Sequence, residues 1–270
     1  MHLLVMVCET ILHHWSPMIF AALAVVVALQ TGLFNICVSG QMLVAGTLSI
    51  AVVSLGSYSG PVARLLVVLL SLVLGAIVGM FIGWLKSRYH VNEVVSSIML
   101  NYVIQYVSAV WIPNYDIQSL WNASRYDLIR DILFAFFMVW LISFLFRKTT
   151  LGYELKMVSS NHKVAQYMGI SVETNMVVAM LISGALAGLA GATYYLESPH
   201  FLQGNELPNM GYDAIAVALL GRVRPMGVVF SSFLISLLRK WSGVYADISS
   251  ILISFILLFG ACSGGGKYDR

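Results

Sequence analysis

The chain has 270 residues, of which 59% are hydrophobic and only 10% are charged, with a formal net charge of +3 and a mean hydropathy of +0.86. Because soluble domains carry about 25% charged residues, this composition excludes an ordinary soluble protein and predicts an integral membrane protein. The apolar runs are continuous and do not alternate with polar residues, so they predict membrane helices and not an outer-membrane barrel.

The expected fold is an all-α polytopic bundle that forms a single transmembrane domain over residues 1–270. We expect about seven to nine membrane segments, some of them short or discontinuous. In chain order the apolar segments are residues 18–33, 41–55, 62–85, 94–112, 131–146, 174–196, 211–221, 228–238 and 248–261. Residues 211–221 are too few to cross a hydrocarbon core of about 30 Å as a helix.

A polar break over residues 35–40 separates the first two segments. Asn35, Ser39, Gly40 and Gln41 interrupt an apolar run at what should be membrane depth. Irregular backbone is tolerated there only against protein or water, and broken helices often build substrate sites in transporters. We favour a broken helix over a tight loop at one membrane face, and Asn35 and Gln41 are candidate substrate-path residues.

The third segment carries Gly75, Gly79 and Gly83. Small residues four positions apart lie on one face of a helix and allow another helix to approach closely. This spacing predicts a tight helix–helix contact.

The fourth segment has polar residues on one helical face. Glu93, Ser97, Asn101 and Gln105 are four positions apart, and polar groups at membrane depth usually face a bundle interior or a wet cavity. One interpretation is a helix that lines a translocation path. The alternative is hydrogen bonding that only joins helices, and Glu93 could pair with Lys86 or Arg88 at the membrane interface.

The longest polar loop covers residues 149–173. Basic residues in this loop and in the one after the third segment place both in the cytoplasm. Ala165 and Gly169 are four residues apart, which predicts a small-residue notch on one face of a short surface helix, where another protein could dock. The alternative is a plain amphipathic connector.

Residues 211–227 form a late counterpart of the break at residues 35–40. A short apolar half-helix ends in Gly221, Arg222, Arg224 and Pro225, and interrupted segments in both halves of a chain are typical of transporters. We interpret Arg222 and Arg224 as capping the segment at the membrane interface and not as binding an anion.

The chain lacks a Walker A motif, a metal-spaced His/Cys set and a nucleophile elbow. It is therefore not expected to be an enzyme, to hold a cofactor or metal, or to bind nucleic acid. A stand-alone secondary transporter would need its own coupling-ion site, and no such site is evident.

The chain resembles the permease subunits of bacterial ABC importers for nucleosides and simple sugars, in the branched-chain amino acid and ribose permease superfamily. The resemblance covers about residues 17–261. It is carried, in order, by GLFNICVSGQ, VNEVVSSIMLNYV, LGYELKMVSSNHKVAQYMGI, SGALAGLAGA and GYDAIAVALLG. NEVVSSIMLNY looks most similar to the nucleoside branch. The chain departs from the family at Cys37 and Ser39, where relatives usually have Gly and Glu.

This resemblance implies a multi-pass protein of the bacterial inner membrane that transports nucleosides, with simple sugars or riboflavin as alternatives. ATP hydrolysis would take place on a separate cytoplasmic ABC ATPase. A coupling helix within residues 150–172 would contact that ATPase, and its candidate residues are Gly152, Asn161, Ala165, Gly169 and Ile170. The other implied partners are a second related permease or a second copy of the chain, and an extracytoplasmic lipoprotein of the basic membrane protein (Bmp) type.

Overall fold

The computed structural model describes residues 2–56, 60–111, 125–197 and 206–242, and the regular structure of this part is entirely helical. Its helices are α1 (His2–Gln30), α2 (Val38–Leu55), α3 (Gly60–Tyr89), α4 (Glu93–Trp111), α5 (Arg125–Lys148), α6 (Thr150–Ser160), α7 (His162–Tyr167), α8 (Val172–Glu197), α9 (Asn209–Leu220) and α10 (Pro225–Ser242).

Six of these helices, α1 to α5 and α8, are long and apolar enough to cross a membrane, and α9 and α10 are shorter apolar helices. The described residues thus contain eight apolar helices, which confirms the predicted all-α polytopic bundle. The last predicted segment, residues 248–261, lies outside the described part of the chain.

Helix α1 forms the centre of the bundle. Every residue from Met18 to Ala28 is fully buried, and the helix packs against α5, α8, α9 and α10. A helix that is apolar on all sides is expected where other helices surround it. The helix also begins well before residue 18 and runs through Pro17, because neighbouring helices can satisfy a carbonyl that a proline leaves without its usual donor.

The glycine series of α3 packs against α8, as its spacing predicted. A Cβ atom on Gly75 would overlap the carbonyl oxygen of Gly184, and one on Gly188 would overlap that of Ser71. The two backbones therefore touch through glycines on both helices. The small-residue run SGALAGLAGA in α8 supplies the other half of this contact.

Three helices end with the same hydrogen-bonded turn, in which the chain enters the left-handed region. The left-handed residues are Gly32 after α1 (φ 76°), Gly169 after α7 (φ 79°) and Arg222 after α9 (φ 55°). In each case the next N–H donates to a carbonyl five residues back, at 3.0 Å: Leu33 to Ala28, Ile170 to Ala165 and Val223 to Ala218.

Candidate functional site

The candidate site begins at the interruption between α1 and α2. Helix α1 ends at Gln30 and α2 begins at Val38, so the chain is irregular over residues 31–37, and Ser39 and Gln41 already belong to the first turn of α2. Thr31, Leu33, Asn35 and Cys37 are buried. The helical structure is interrupted here, three to four residues earlier than the sequence suggested, and the placement of this break at membrane depth stays a prediction.

The side chain of Asn35 forms three hydrogen bonds that hold this irregular segment in place. Its Nδ2 donates to Ser183 Oγ on α8 at 2.8 Å and to Gln41 Oε1 at 3.1 Å. Its Oδ1 accepts from the backbone N–H of Cys37 at 3.0 Å. Ser183 in turn donates to the carbonyl of Ala24 on α1 at 2.7 Å. One amide thus joins the break to α1, α2 and α8.

Asn101 of α4 holds the start of α2 from the other side. Its Oδ1 accepts from the backbone N–H of Gly40 at 3.0 Å, and its Nδ2 donates to the carbonyl of Ile36 at 3.1 Å. An orphan N–H in the first turn of a helix is normally satisfied by a cap near in sequence. Here the cap comes from a residue 61 positions away.

The first turns of α2 and α9 meet in this region. A Cβ atom on Gly211 would overlap Ser39, so the two helices touch near their N-terminal ends. Ser183 lies eleven residues after the start of α8 at Val172, or about 17 Å along this helix, so Asn35 contacts α8 near its middle. Two positive helix ends, those of α2 and α9, therefore converge inside the bundle.

Three buried polar atoms at this convergence have no hydrogen-bond partner among the described residues. They are Ser39 Oγ and Gln41 Nε2 on α2, and Ser97 Oγ on α4. Buried polar atoms are normally paired, because leaving one unpaired costs about 1–3 kcal/mol. These atoms are therefore unsatisfied polar groups, buried beside the start of α2.

The polar stripe of α4 faces the bundle. Ser97 is fully buried and Asn101 is 2% exposed, and Ser108 donates to the carbonyl of Gln105 within the helix. Glu93 forms an ion pair with Lys86 at 2.8 Å, at the turn between α3 and α4. The structure therefore brings Asn35, Gln41, Ser97 and Asn101 together. Glu93 lies two helical turns away from Asn101. It pairs with Lys86, one of the two basic residues that the sequence offered as its partner.

The outer face of α4 carries exposed tyrosines that the sequence analysis did not single out. Tyr102 is 54% exposed and Tyr106 is 73% exposed, and Tyr212 of α9 neighbours Tyr102 and Asn101. Tyr102 lies about 14 Å along α4 from Glu93, whereas tyrosines that face lipid usually lie at the membrane interface.

The exposed face of α3 is different from that of α4. Its exposed large side chains between the two ends of the helix are aliphatic or Met, Phe and Trp: Val62, Leu65, Leu69, Val73, Ile77, Met80, Phe81 and Trp84. This composition suits a surface in contact with lipid. The exposed face of α4 differs by its two tyrosines, which stand among aliphatic and Met side chains: Val95, Ile98, Met99, Val103, Val107 and Val110. It is less apolar than the exposed face of α3.

The predicted coupling segment forms α6 and α7, and its candidate residues have structural roles. Thr149 caps α6 by accepting from Gly152 N at 3.1 Å, and a Cβ atom on Gly152 would overlap the carbonyl of Leu145 on α5. Asn161 caps α7 by accepting from the N–H groups of Lys163 and Val164 at 3.0 and 3.3 Å.

The predicted notch of Ala165 and Gly169 was wrong. Ala165 is fully buried, and Gly169 lies beyond α7, which ends at Tyr167. Ile170 is half-buried and packs against the core. The two small residues therefore do not share an exposed helix face, because the chain has turned into the left-handed region by Gly169.

The exposed surface of α7 is formed by larger side chains. Tyr167 is 91% exposed, and Val164 and Met168 are also exposed. We call Val164, Tyr167 and Met168 the α7 apolar patch. The spacing of Ala165 and Gly169 pointed to small residues, whereas the apolar side chains that protrude from α7 are larger.

Comparisons with known proteins agree with this architecture. Residues 7–261 match the family described as the permease component of branched-chain amino acid transport systems. A guanosine ABC transporter permease, NupP of Bacillus subtilis, is 34% identical over 92% of this chain and 79% of its own length. A nucleoside ABC transporter permease, NupB of Lactococcus lactis, is 31% identical over 90% and 76%.

A more distant relative has a different substrate in its name. The glucose ABC transporter permease TsgB13 of Haloferax volcanii is 28% identical over 90% of this chain and 73% of its own length. No solved structure gives a significant match. With the family match over nearly the whole chain and six described helices long and apolar enough to cross a membrane, the protein belongs to the permease components of the branched-chain amino acid transport family, as an ABC transporter permease and not an enzyme.

Proposed function

We propose that the protein is the membrane-spanning subunit of an ATP-driven importer of nucleosides. The observation that carries this proposal is the likeness, at 31–34% identity over at least nine-tenths of the chain, to permeases named for guanosine and for nucleosides. The sequence stretch NEVVSSIMLNY, which favoured the nucleoside branch, forms the part of α4 that holds the broken helix.

The proposed substrate path runs along the outer face of α4 at the level of Asn101. Tyr102, Tyr106 and Tyr212 offer aromatic faces on which a nucleobase can stack, and such stacking contributes about 1–3 kcal/mol per base. Ser39, Gln41 and Ser97 are buried behind this face, and they would offer hydrogen bonds to ribose hydroxyls or base edges when the path opens during transport. Asn35 and Asn101 keep the break in place, and Gln105 continues the polar face of α4 by one turn.

The proposed contact with the ATPase is the α7 apolar patch. As an ABC permease the chain works with an ATPase and a substrate-binding partner. The α7 apolar patch, whose rim is polar at His162, Lys163 and Gln166, suits docking into an apolar cleft of a cytoplasmic protein. Of the predicted coupling residues, Asn161 caps α7, Gly169 follows its end, and Ala165 and Ile170 pack inward. Gly152 seats α6 against α5.

The further partners in this proposal complete an importer of the bacterial inner membrane. A second permease, either related or identical, would face α4 across the path, because one subunit leaves the tyrosine face uncovered. A Bmp-type lipoprotein would deliver nucleosides from outside the cell. The lipid bilayer surrounds the apolar face of α3.

A simple sugar is the second candidate substrate, favoured by the likeness to the glucose permease at 28% identity. Competitive uptake separates the two. Cells with and without the gene are given labelled adenosine, challenged with unlabelled nucleosides, ribose, glucose and riboflavin. The proposal expects gene-dependent adenosine uptake that only nucleosides inhibit. Gene-dependent uptake of a sugar or of riboflavin, with adenosine uptake unchanged, would refute it.

A further inference from the structure

A cavity opens where α1, α5 and α6 meet the turn between α9 and α10. Its volume is about 780 Å³, and four cationic side chains line it: Arg147, Lys156, Arg222 and Arg224. The basic end of α5 and the loop that contains α6 place this cavity at the cytoplasmic ends of the helices.

The positive charge of this cavity is not neutralised by the described residues. None of the lining residues is Asp or Glu, and no carboxylate in the described ranges forms an ion pair with the three arginines. Lys156 Nζ donates to the carbonyl of Phe146 at 2.9 Å, which leaves two of its three N–H groups for another acceptor. An anion is therefore the chemistry that this cavity favours.

Two neutral features point to the same place. Ser143 lines the cavity, is 7% exposed, and its Oγ has no partner among the described residues. The first turn of α10, at Pro225, Met226 and Gly227, also lies on the wall. The N–H groups of a first helical turn lack intrahelical acceptors and attract phosphate oxygens.

An apolar ridge leads from the cavity along the exposed side of α10. Met226, Phe230, Leu234 and Leu237 follow one another at helical spacing and are all exposed, with Phe230 at 80%. A soluble anion would gain nothing from this ridge. An acyl chain whose headgroup occupied the cavity would lie directly on it.

We propose that this cavity binds the phosphodiester headgroup of an anionic phospholipid of the cytoplasmic leaflet. The guanidinium groups of Arg147, Arg222 and Arg224 contact the phosphate, and Ser143 donates to a headgroup oxygen. Basic pockets between membrane helices on the cytoplasmic side suit this role. The sequence suggested that Arg222 and Arg224 cap the end of their own segment at the membrane interface. We now assign them to an anion site, because the fold places Arg147 of α5 and Lys156 of α6 in the same cavity.

The test uses the full chain purified in a neutral detergent and supplied with dioleoyl phosphatidylglycerol or dioleoyl phosphatidylcholine. Native mass spectrometry counts the retained lipid. The proposal expects one tightly held phosphatidylglycerol and at least about tenfold weaker retention of phosphatidylcholine. Arg222→Gln with Arg224→Gln should weaken phosphatidylglycerol binding about thirtyfold. Ser143→Ala should weaken it about tenfold, as expected for a hydrogen bond to a charged group.

Arg88→Gln is the matched control, because Arg88 is a cytoplasmic arginine at the end of α3 that does not line the cavity. It should leave binding unchanged. Equal retention of both lipids, or an equal loss in Arg88→Gln, would overturn the proposal. Inorganic phosphate is a further arm: if millimolar phosphate displaces phosphatidylglycerol completely, the cavity takes a free anion and the lipid assignment is wrong.

Discussion

Asn101 of α4 accepts a hydrogen bond from the backbone N–H of Gly40, 3.0 Å away in the first turn of α2. The same side chain donates to the carbonyl of Ile36. The buried start of α2 thus has its cap on another helix, because the irregular residues before it are apolar or engaged elsewhere. The site depends on this contact, since α2 carries Ser39 and Gln41.

Asn101→Leu should therefore impair both stability and transport. It leaves the N–H of Gly40 and the carbonyl of Ile36 without partners, at about 1–3 kcal/mol for each buried group. We expect a lower unfolding midpoint in detergent and loss of nucleoside uptake. Met99→Leu, at an exposed position of the same helix, is the control. An Asn101→Leu protein with an unchanged midpoint would show that the cap is not needed.

Ser39→Ala should separate transport from stability. Because Ser39 Oγ is buried without a partner among the described residues, its removal should leave the unfolding free energy unchanged or raise it, by up to about 1–3 kcal/mol. Uptake should fall about two- to tenfold, the loss of one hydrogen bond to substrate. Ser54→Ala is the control, at the far end of α2, where the hydroxyl bonds to its own helix. Full uptake by Ser39→Ala would remove Ser39 from the path.

Gly188→Ala should disrupt the α3–α8 contact. The added methyl group would overlap the carbonyl of Ser71, and overpacking of this kind costs about 1–3 kcal/mol. The expected result is reduced accumulation of folded protein, measured by fluorescence-detected size exclusion. Val73→Ala, which removes atoms from an exposed position of α3, should accumulate normally. Wild-type yields for Gly188→Ala would mean that the helices can separate at little cost.

Tyr167→Ala should uncouple the transporter without unfolding it. Tyr167 is the most exposed member of the α7 apolar patch, so its truncation removes a contact surface and no internal packing. We expect less ATPase to co-purify with the permease and uptake to fall, with an unchanged unfolding midpoint. Gln166→Ala, an exposed polar neighbour, should have little effect. Undiminished ATPase recovery from Tyr167→Ala would rule out the patch.

Ala165→Asp should behave in the opposite way. The residue is fully buried on the inner face of α7, so the carboxylate would enter the core without a partner and destabilise the protein. Reduced folded yield is the expected readout. If Ala165→Asp gave a folded protein that no longer couples to the ATPase, the docking notch predicted from the sequence would be correct after all.

Several features of the fold could be predicted because they depend on local pattern. The Gly75, Gly79 and Gly83 series marked a close helix contact through spacing alone. The apolar run over residues 211–221 predicted a helix too short to cross a membrane, and α9 has twelve residues. The break before α2 followed from polar residues within an apolar run.

Other features depend on contacts between distant parts of the chain and were not predictable from local pattern. Nothing in the periodicity of α4 shows that Asn101 pairs with Gly40, and Ser183 looked like one more small residue in a packing run. The notch failed for a related reason. Spacing by four puts Ala165 and Gly169 on one face only while the helix continues, and α7 ends first.

The measurement that tests the central claim most directly is the accessibility of position 102. Tyr102→Cys is made in a chain whose Cys8, Cys37 and Cys262 are replaced by alanine, assembled with its partners, and exposed to a charged methanethiosulfonate reagent. Ile77→Cys on α3 is the control, with similar exposure in the isolated chain and similar depth. The account predicts that position 102 reacts, that nucleoside protects it, and that position 77 stays unmodified. Equal reaction at both positions, or no reaction at position 102, would contradict a path along α4.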